Sequence, residues 1–417
     1  MKLSNYEKDI LAGKYGPAKG LCLKIEVELA EAYGVDRLVP ISGAHIDANS
    51  YGRVSGEAKL DFARRVVGEG GKVSVPTTLN PGGRDITRWR EFRIPEGFVH
   101  KCEMMEEAYM EMGAIPTWTC TPYTYGTVPC RGEQIAYAES NAIAFANSVL
   151  GAKTPRYGDF LEVCAAITGR APYFDLHKDE NRLADLWFQV EDPKPFSYSD
   201  DLFYSLLGYY VGSASGGQVP VITGLPTGIN RDALKNFGAA VASSGGVGLF
   251  HIVGVTPEAP DLESIASEEG RSRRTDVSGR DLLDVRGELN DTSTDGVDLV
   301  LLGCPHASVR ECQLVVDVLS GRTVADGVEF WIQTNRGVYS WLEGMGISRR
   351  LRKEGVRVST DSCLFNWPLD NWNFSSAVTN SAKFAHYAPN ELNLTTSIRD
   401  INGCVSAAVT GGVYDEL

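Results

Sequence analysis

The chain has 417 residues, 43% hydrophobic and 23% charged, with a formal net charge of -14. That length exceeds what one hydrophobic core fills, so two or three lobes are expected. The composition is that of an ordinary globular protein, and the acidic balance excludes a nucleic-acid or anionic-membrane partner, since both need a basic face; a small anionic substrate needs only a local cation and stays open.

The first residues, MKLSNYEKDI, contain no apolar leader segment, and no apolar run reaches the roughly eighteen residues of a membrane span. Nine cysteines, scattered and odd in number, do not resemble a disulfide framework in a chain this long, which points to a reduced, cytoplasmic setting. Ser4 and Glu7 have capping-box spacing, so a helix is predicted to start there and end near Gly13, with a second over Ala18 to Ala32. A strand over Arg37 to Ile41 runs into a polar loop, Ser42 to Gly52. A helix over Gly56 to Val67 and a strand over Lys72 to Pro76, emptying into Thr77-Thr78-Leu79-Asn80-Pro81, repeat the pattern. Strands that alternate with helices and end in polar loops indicate an α/β fold, in which ligands gather at the carboxyl ends of strands.

Val99 to Met112 reads as a helix, and Ala114 to Trp118 delivers the chain to Cys120-Thr121-Pro122. Glu133 to Leu150, rich in Ala, reads as one long helix; Glu139, Ser140 and Asn141 within it are polar residues that a packing helix does not need. Val219 to Gly224 and Gly246 to Val253 read as strands around a helix over Asp232 to Ser243, with His251 as a buried structural histidine. The charged segment 260–298 reads as a surface connection with one or two helices, and a lobe boundary is placed near it. Val297 onward, VDLVLLGCPHAS, is a buried strand that breaks at Gly303 into Cys304-Pro305-His306. Val328 to Thr334 is strand-like, Val338 to Met345 helical, and Val356 to Ser359 a short strand ending at Asp361-Ser362-Cys363.

Cys120, Cys304 and Cys363 share one setting: each follows a strand-like run and opens a loop. Three thiolates are too few for a closed structural zinc site, but they suit an iron–sulfur cluster with one iron left open. An open iron is a Lewis acid that helps a hydroxyl leave while a base takes a proton from the next carbon, which is dehydratase chemistry. Two other readings stand beside it. Cys304 with His306 can be read as the pair of a cysteine hydrolase, although two residues apart on one loop is poor geometry and a supporting hydrogen bond suits His306 better. A non-catalytic binding subunit is the other. Cys22, Cys102, Cys130, Cys164, Cys312 and Cys404 are read as packing residues.

The stretches VPTTLNP, TWTCTPY, ESNAIAFANSVLGAKT, CAAITGRAP with LHKDENR, VGLFHIVGVTPEAP, DLVLLGCPHAS and TNSAKFAHY closely resemble the aconitase X family, in particular its large subunit, over about Tyr33 to Pro389. The resemblance implies an aconitase-like α/β architecture of several lobes around an iron–sulfur cleft. It also implies Cys120, Cys304 and Cys363 as ligands of a cluster, a four-iron form with two- and three-iron forms as alternatives. Ala48, Asn49, Ser50, Asn80, Pro81, Glu139, Ser140 and Lys383 are the implied substrate contacts. Lys383, His45 and Glu139 are the catalytic candidates on this chain. Strand-end amides and an Asn side chain suit a carboxylate, and Lys383 can neutralise it.

Two substrates fit the family. His45-Ile46-Asp47, Trp118 and Tyr157-Gly158-Asp159-Phe160 resemble members that dehydrate cis-3-hydroxy-L-proline to Δ1-pyrroline-2-carboxylate. TTLNPGG and RWREFRIP resemble members that convert mevalonate 5-phosphate to trans-anhydromevalonate 5-phosphate. Relatives complete the site with a small swivelling domain whose Gly-Arg-Gly-Ser-like loop carries a serine base. No such loop occurs in this sequence, so a separate small subunit is expected, and this chain alone is expected to be inactive.

Overall fold

The computed structural model describes residues 1–52, 55–290 and 296–413. By its contacts the chain divides into two units, Met1–Leu183 with Asn366–Pro368, and Ala184–Phe365 with Leu369–Leu417.

The first unit begins with α1 (Asn5–Leu11), closed by the predicted Ser4/Glu7 capping box, and α2 (Pro17–Ala32). Its sheet elements are β1 (Leu38–Pro40) and β2 (Ala44–Ile46); α3 (Gly56–Gly68), β3 (Thr77–Leu79), α4 (Glu96–Glu111) and β4 (Ala136–Tyr137) follow. The unit ends with α5 (Ser140–Phe145), α6 (Leu161–Thr168) and β5 (Arg170–Pro172). Strands β3, β2 and β4 form a parallel sheet with β2 in the centre, and β1 pairs antiparallel with β5. Apolar faces of α2, α3, α4 and α6 bury Cys22, Leu60, Ala63, Met105, Tyr109, Val163 and Ile167 around Ile46 and Leu79.

Three expectations fail in this unit. The loop Ser42 to Gly52 contains β2, which is short and carries a fully buried histidine, so its polarity hides a central strand. The strand expected at Lys72 to Pro76 lies at Thr77–Leu79 instead, where two buried threonines satisfy their hydroxyls internally. The long helix expected over Glu133 to Leu150 is divided. Residues 134–138 are extended and bond to Ser42, Gly43, His45 and Lys153, so the helix starts at Ser140 and finishes in a π-helical turn, Ala146–Leu150.

The second unit opens with β6 (Leu186–Val190), α7 (Asp201–Ser215), β7 (Pro220–Thr223), α8 (Arg231–Gly245) and β8 (His251–Ile252). Short helices α9 (Leu262–Ile265) and α10 (Glu268–Ser272) lead to β9 (Arg274–Val277) and α11 (Gly279–Glu288). These strands make a parallel sheet in the order β8-β7-β6-β9. The segment 260–298 is therefore more than a helical connection, since it supplies an edge strand; 291–295 within it lie outside the described residues. His251 is fully buried in β8, as expected.

The remaining elements are β10 (Leu299–Leu302), α12 (Val309–Leu319), β11 (Glu329–Thr334), α13 (Arg336–Gly344), α14 (Ile347–Lys353), β12 (Val356–Thr360), β13 (Ser376–Thr379), α15 (Ala382–Glu391), β14 (Thr395–Ile398) and α16 (Ile401–Thr410). They build a parallel sheet in the order β12-β11-β10-β13-β14. The chain moves outward from β10 to one edge and then returns to β10's other side at β13. The carboxyl end of β10 is thus a topological switch point, where open α/β sheets leave a crevice for ligands. No described helix is long and apolar enough to cross a membrane.

Candidate active site

In the first unit the sequence-predicted residues collect at the carboxyl ends of β2, β3 and β4. His45 lies in β2 with Ala48, Asn49 and Ser50 just beyond it, Asn80 and Pro81 follow β3, and Glu139 and Ser140 follow β4. The loops lock to one another. Asn49 Nδ2 donates to the Asn80 carbonyl at 2.7 Å while the Asn80 N–H donates to Asn49 Oδ1 at 3.1 Å. Asn80 Nδ2 also donates to the Asp47 carboxylate.

His45 is fully buried. Its Nδ1 lies 2.8 Å from Thr78 Oγ1 and its Nε2 lies 3.4 Å from Asn80 Oδ1. Because an amide oxygen only accepts, Nε2 carries the proton and Nδ1 accepts from the threonine. Burial holds the imidazole down at about 4, so it is neutral near pH 7 and serves here as a rigid orienter of Asn80.

Glu139 is the N-cap of α5, its Oε2 accepting from Ala142 N at 2.6 Å, and the Ser140 hydroxyl donates to its other oxygen at 3.4 Å. The next residue, Asn141, ties this helix to the first cysteine. Its Nδ2 donates to the Cys120 carbonyl at 3.0 Å and to the Tyr123 hydroxyl at 2.9 Å, and Tyr123 stacks on Phe145 with centroids 3.7 Å apart. Residues 115–119 run beside β3, with Leu79 N bonded to Thr117 Oγ1 and Thr119 N bonded to the Leu79 carbonyl. Cys120 therefore leaves from the same end of the same sheet.

Sequence reasoning missed Glu162. This residue of α6 is fully buried, and its Oε1 accepts from both Asp47 N at 3.2 Å and Ala48 N at 3.0 Å. The available signal was a lone acid inside LEVCAAI, an otherwise apolar run.

In the second unit Cys304, Cys363 and Lys383 stand beyond β10, β12 and β13, all at the carboxyl end of one sheet. Gly303, with φ 92°, makes the turn before Cys304, and a Cβ there would stand 2.0 Å from the Gln333 carbonyl oxygen. His306 Nε2 donates to the Ser362 carbonyl at 3.1 Å. Gln333 brackets Cys363, its Oε1 accepting from Leu364 N at 3.2 Å and its Nε2 donating to the Ser362 carbonyl at 3.4 Å. Behind the Cys304 loop, buried Lys235 donates to the His306 carbonyl at 3.2 Å and pairs with Glu311.

Lys383 is the second residue of α15 and is partly buried. The seat of that helix is well defined. Ala382 N donates to Ser205 Oγ at 2.9 Å, Asn380 Nδ2 donates to Asp201 at 2.9 Å, and the Ser381 hydroxyl donates to the Cys304 carbonyl.

The three cysteines differ from the others. Cys120, Cys304 and Cys363 are partly exposed, whereas Cys22, Cys102, Cys164, Cys312 and Cys404 are buried; burial raises the Cys102, Cys312 and Cys404 thiols above their ordinary range. Cys130 is exposed, which corrects its reading as a packing residue. A left-handed residue stands one or two positions before each of the three: Trp118 (φ 45°), Gly303 (φ 92°) and Asp361 (φ 65°). For Trp118 and Asp361 this conformation costs on the order of 1–3 kcal/mol each, strain that folds accumulate at functional loops. Soft thiolate donors on strand-end loops, held by backbone-directed hydrogen bonds, fit an iron–sulfur cluster.

Family profiles match nearly the whole chain: the aconitase X first domain over residues 1–180, its second domain over 184–287 and its third over 297–410. The chain is 41% identical to the cis-3-hydroxy-L-proline dehydratase of Pseudomonas aeruginosa, over 98% of this chain and 70% of that protein. It is 38% identical to the phosphomevalonate dehydratase large subunit of Methanothermobacter thermautotrophicus, over 93% of this chain and 94% of that one. The crystal structure of Thermococcus kodakaraensis aconitase X in its holo-form superposes with a TM-score of 0.88 at 34% identity, covering 98% of this chain and 100% of that chain. The chain belongs to the aconitase X family.

Proposed function

We propose that this chain is the cluster-bearing subunit of a hydro-lyase that removes water from a β-hydroxy carboxylate, with cis-3-hydroxy-L-proline as substrate. The observation that carries the reading is the common setting of Cys120, Cys304 and Cys363, each just beyond a parallel strand or the segment beside one, each after a left-handed residue. Among the described residues no three His, Cys, Asp or Glu side chains form a ready metal-holding group; Cys120, Cys304 and Cys363 are the residues that would hold the cluster. When bound, a cluster with one open iron supplies a Lewis acid for the departing hydroxyl.

The chain's own residues do the rest. Lys383 and the Asn80 loop hold the carboxylate, with Ala48, Asn49, Ser50 and Pro81 shaping its seat. Neutral His45 fixes Asn80, and Glu139 with Ser140 closes the other side. Loss of the C2 proton and the C3 hydroxyl as water gives an enamine, which tautomerises to Δ1-pyrroline-2-carboxylate. The base for the C2 proton is a serine from a small swivelling domain on a partner chain, a reading supported by relatives named as large subunits. A cytoplasmic setting keeps the thiol ligands reduced.

The identity to the hydroxyproline enzyme favours that substrate. Mevalonate 5-phosphate is the second reading, favoured by the near-complete match in length to a phosphomevalonate dehydratase large subunit; trans-anhydromevalonate 5-phosphate would be its product. The test is anaerobic co-purification with the small subunit, iron and sulfide analysis, and assay of both acids. Cys120→Ser, Cys304→Ser and Cys363→Ser should each abolish cluster and turnover together, whereas a cysteine hydrolase would survive the first and third. Iron-free protein after reconstitution overturns the reading, and turnover of the phosphorylated acid alone overturns the substrate choice.

A further inference from the structure

We infer that Glu162 is a positioning residue for the substrate carboxylate, clamping the backbone of the loop Asp47 to Ser50 through one carboxyl oxygen. The inference rests on the reading above that this loop seats the carboxylate.

The geometry is unusual for a helix residue. Glu162 lies in the first turn of α6 and is fully buried. Its Oε1 reaches across to two consecutive amides, Asp47 N and Ala48 N, which fixes the direction in which the chain leaves β2. Its Oε2 is buried and has no hydrogen-bond partner. A buried carboxyl with one idle oxygen is costly unless it is neutral, and a neutral acid still offers its carbonyl oxygen to both amides. Burial pushes this carboxyl up to about 8, the Ala48 amide drawing it down and Asp159 and Asp47 adding to the rise.

The groups that face it set the electrostatic consequence. Asp47 comes from the loop itself, Tyr109 from α4, and Asp159 and Cys164 from the stretch around α6; Lys59 of α3 pairs with Asp159 at 2.9 Å. Asp47 is itself raised by burial. When Glu162 loses its proton, a negative charge appears behind a loop that must receive a carboxylate. Substrate affinity should then fall as pH rises through about 8, with the chemical step less affected.

Three variants of the cluster-loaded enzyme with its partner test this. Glu162→Gln keeps an oxygen for the two amides and cannot ionise, so KM at about pH 7 should stay within roughly threefold of wild type, and the rise in KM that wild type shows towards about pH 9 should disappear. Glu162→Asp withdraws the oxygen and should raise KM by about tenfold or more with a smaller change in kcat. Glu162→Ala should speed hydrogen exchange at the Asp47 and Ala48 amides by at least about tenfold, while Glu162→Gln leaves it near wild type. A Glu162→Gln enzyme that keeps the wild-type alkaline rise in KM overturns the inference, as does unchanged exchange at both amides in Glu162→Ala. If Glu162→Ala does not fold, the pH profiles of wild type and Glu162→Gln decide. If wild type turns over neither acid, the substrate reading has failed, and the exchange of the two amides still decides the clamp.

Discussion

His306 Nε2 donates to the carbonyl of Ser362, 3.1 Å away and buried, so the loop carrying Cys304 is tied directly to the residue before Cys363. A carbonyl can only accept, which commits that ring nitrogen to donation. His306 thus serves as a brace between two ligand loops. Replacing it with Phe leaves the Ser362 carbonyl with the longer bond from Gln333 at 3.4 Å and should cost about 1–3 kcal/mol. His306→Phe should also hold less iron after reconstitution than wild type, measured per chain. Equal iron at equal protein recovery would show that the brace does not serve the cluster.

Gly303 is the stricter requirement. Its φ of 92° suits glycine, and any Cβ would collide with the Gln333 carbonyl, part of the fixed strand β11. Neither atom has room to move without breaking the pairing of β10 with β11. Gly303→Ala should lose about 3 kcal/mol or more, or fail to accumulate folded protein. Gly344→Ala is the control, since a Cβ there meets nothing within 4 Å and a helix favours Ala by about 0.5–1 kcal/mol. The two thermal midpoints should move in opposite directions.

What could be read in advance follows from where burial coincides with hydrophobicity. Strand β10 is buried throughout and reads as an apolar run, β11 and β12 are mostly buried, and the sequence-predicted ends of all three lie within two residues of those observed. The cysteine beyond β10 and the one beyond β12 were legible for that reason. In the first unit the central strand buries a histidine, and its neighbours bury threonines, so polarity masked the sheet that carries the site. The stretch from Glu133 misled through its alanines: helix propensity is worth tenths of a kcal/mol per residue, and the ladder that Ala136 makes with Gly43 and Ala44 outweighs it. Edge strand β9, with exposed Arg274 and Asp276, has no apolar face to announce it. Glu162 escaped because a clamp on backbone amides depends on what lies opposite in space, and its partners are more than a hundred residues away in sequence.

His45 gives a pH signature. Burial holds its folded-state value at about 4, below the ordinary 6.5, so the unfolded chain takes up a proton that the folded one refuses. The stability contributed by neutral His45 is complete above about pH 6.5 and is lost as pH falls towards about 4, at up to about 1.4 kcal/mol per unit. His45→Asn has no such proton. Urea titrations of both proteins at about pH 7, 6 and 5 should show wild type losing stability relative to the variant on acidification. Parallel curves would mean that His45 is not held neutral by its site. Comparison with the variant matters because Glu162 and Asp201, raised to about 8 and about 6 by burial, contribute with the opposite sign in both proteins.

The seat of Lys383 provides the last test. Asp201 and Ser205 stand one turn apart on α7 and so share a face; the first accepts from Asn380 and the second from the Ala382 amide, fixing the start of α15 on either side of Ser381. Ser205→Ala leaves a buried N–H without its acceptor, a loss of about 1–3 kcal/mol, and frees the turn that carries Lys383. Lys383→Ala should raise KM for the hydroxy acid by about tenfold or more, equivalent to about 1.4 kcal/mol of binding. Lys383→Arg should recover little, because a planar fork does not replace a compact ammonium in a fitted seat. Ser205→Ala should raise KM less, and its effect should vanish in the Lys383→Ala background. A double-mutant cycle on KM measures this directly: additive effects would show that the seat acts on binding by a route other than Lys383.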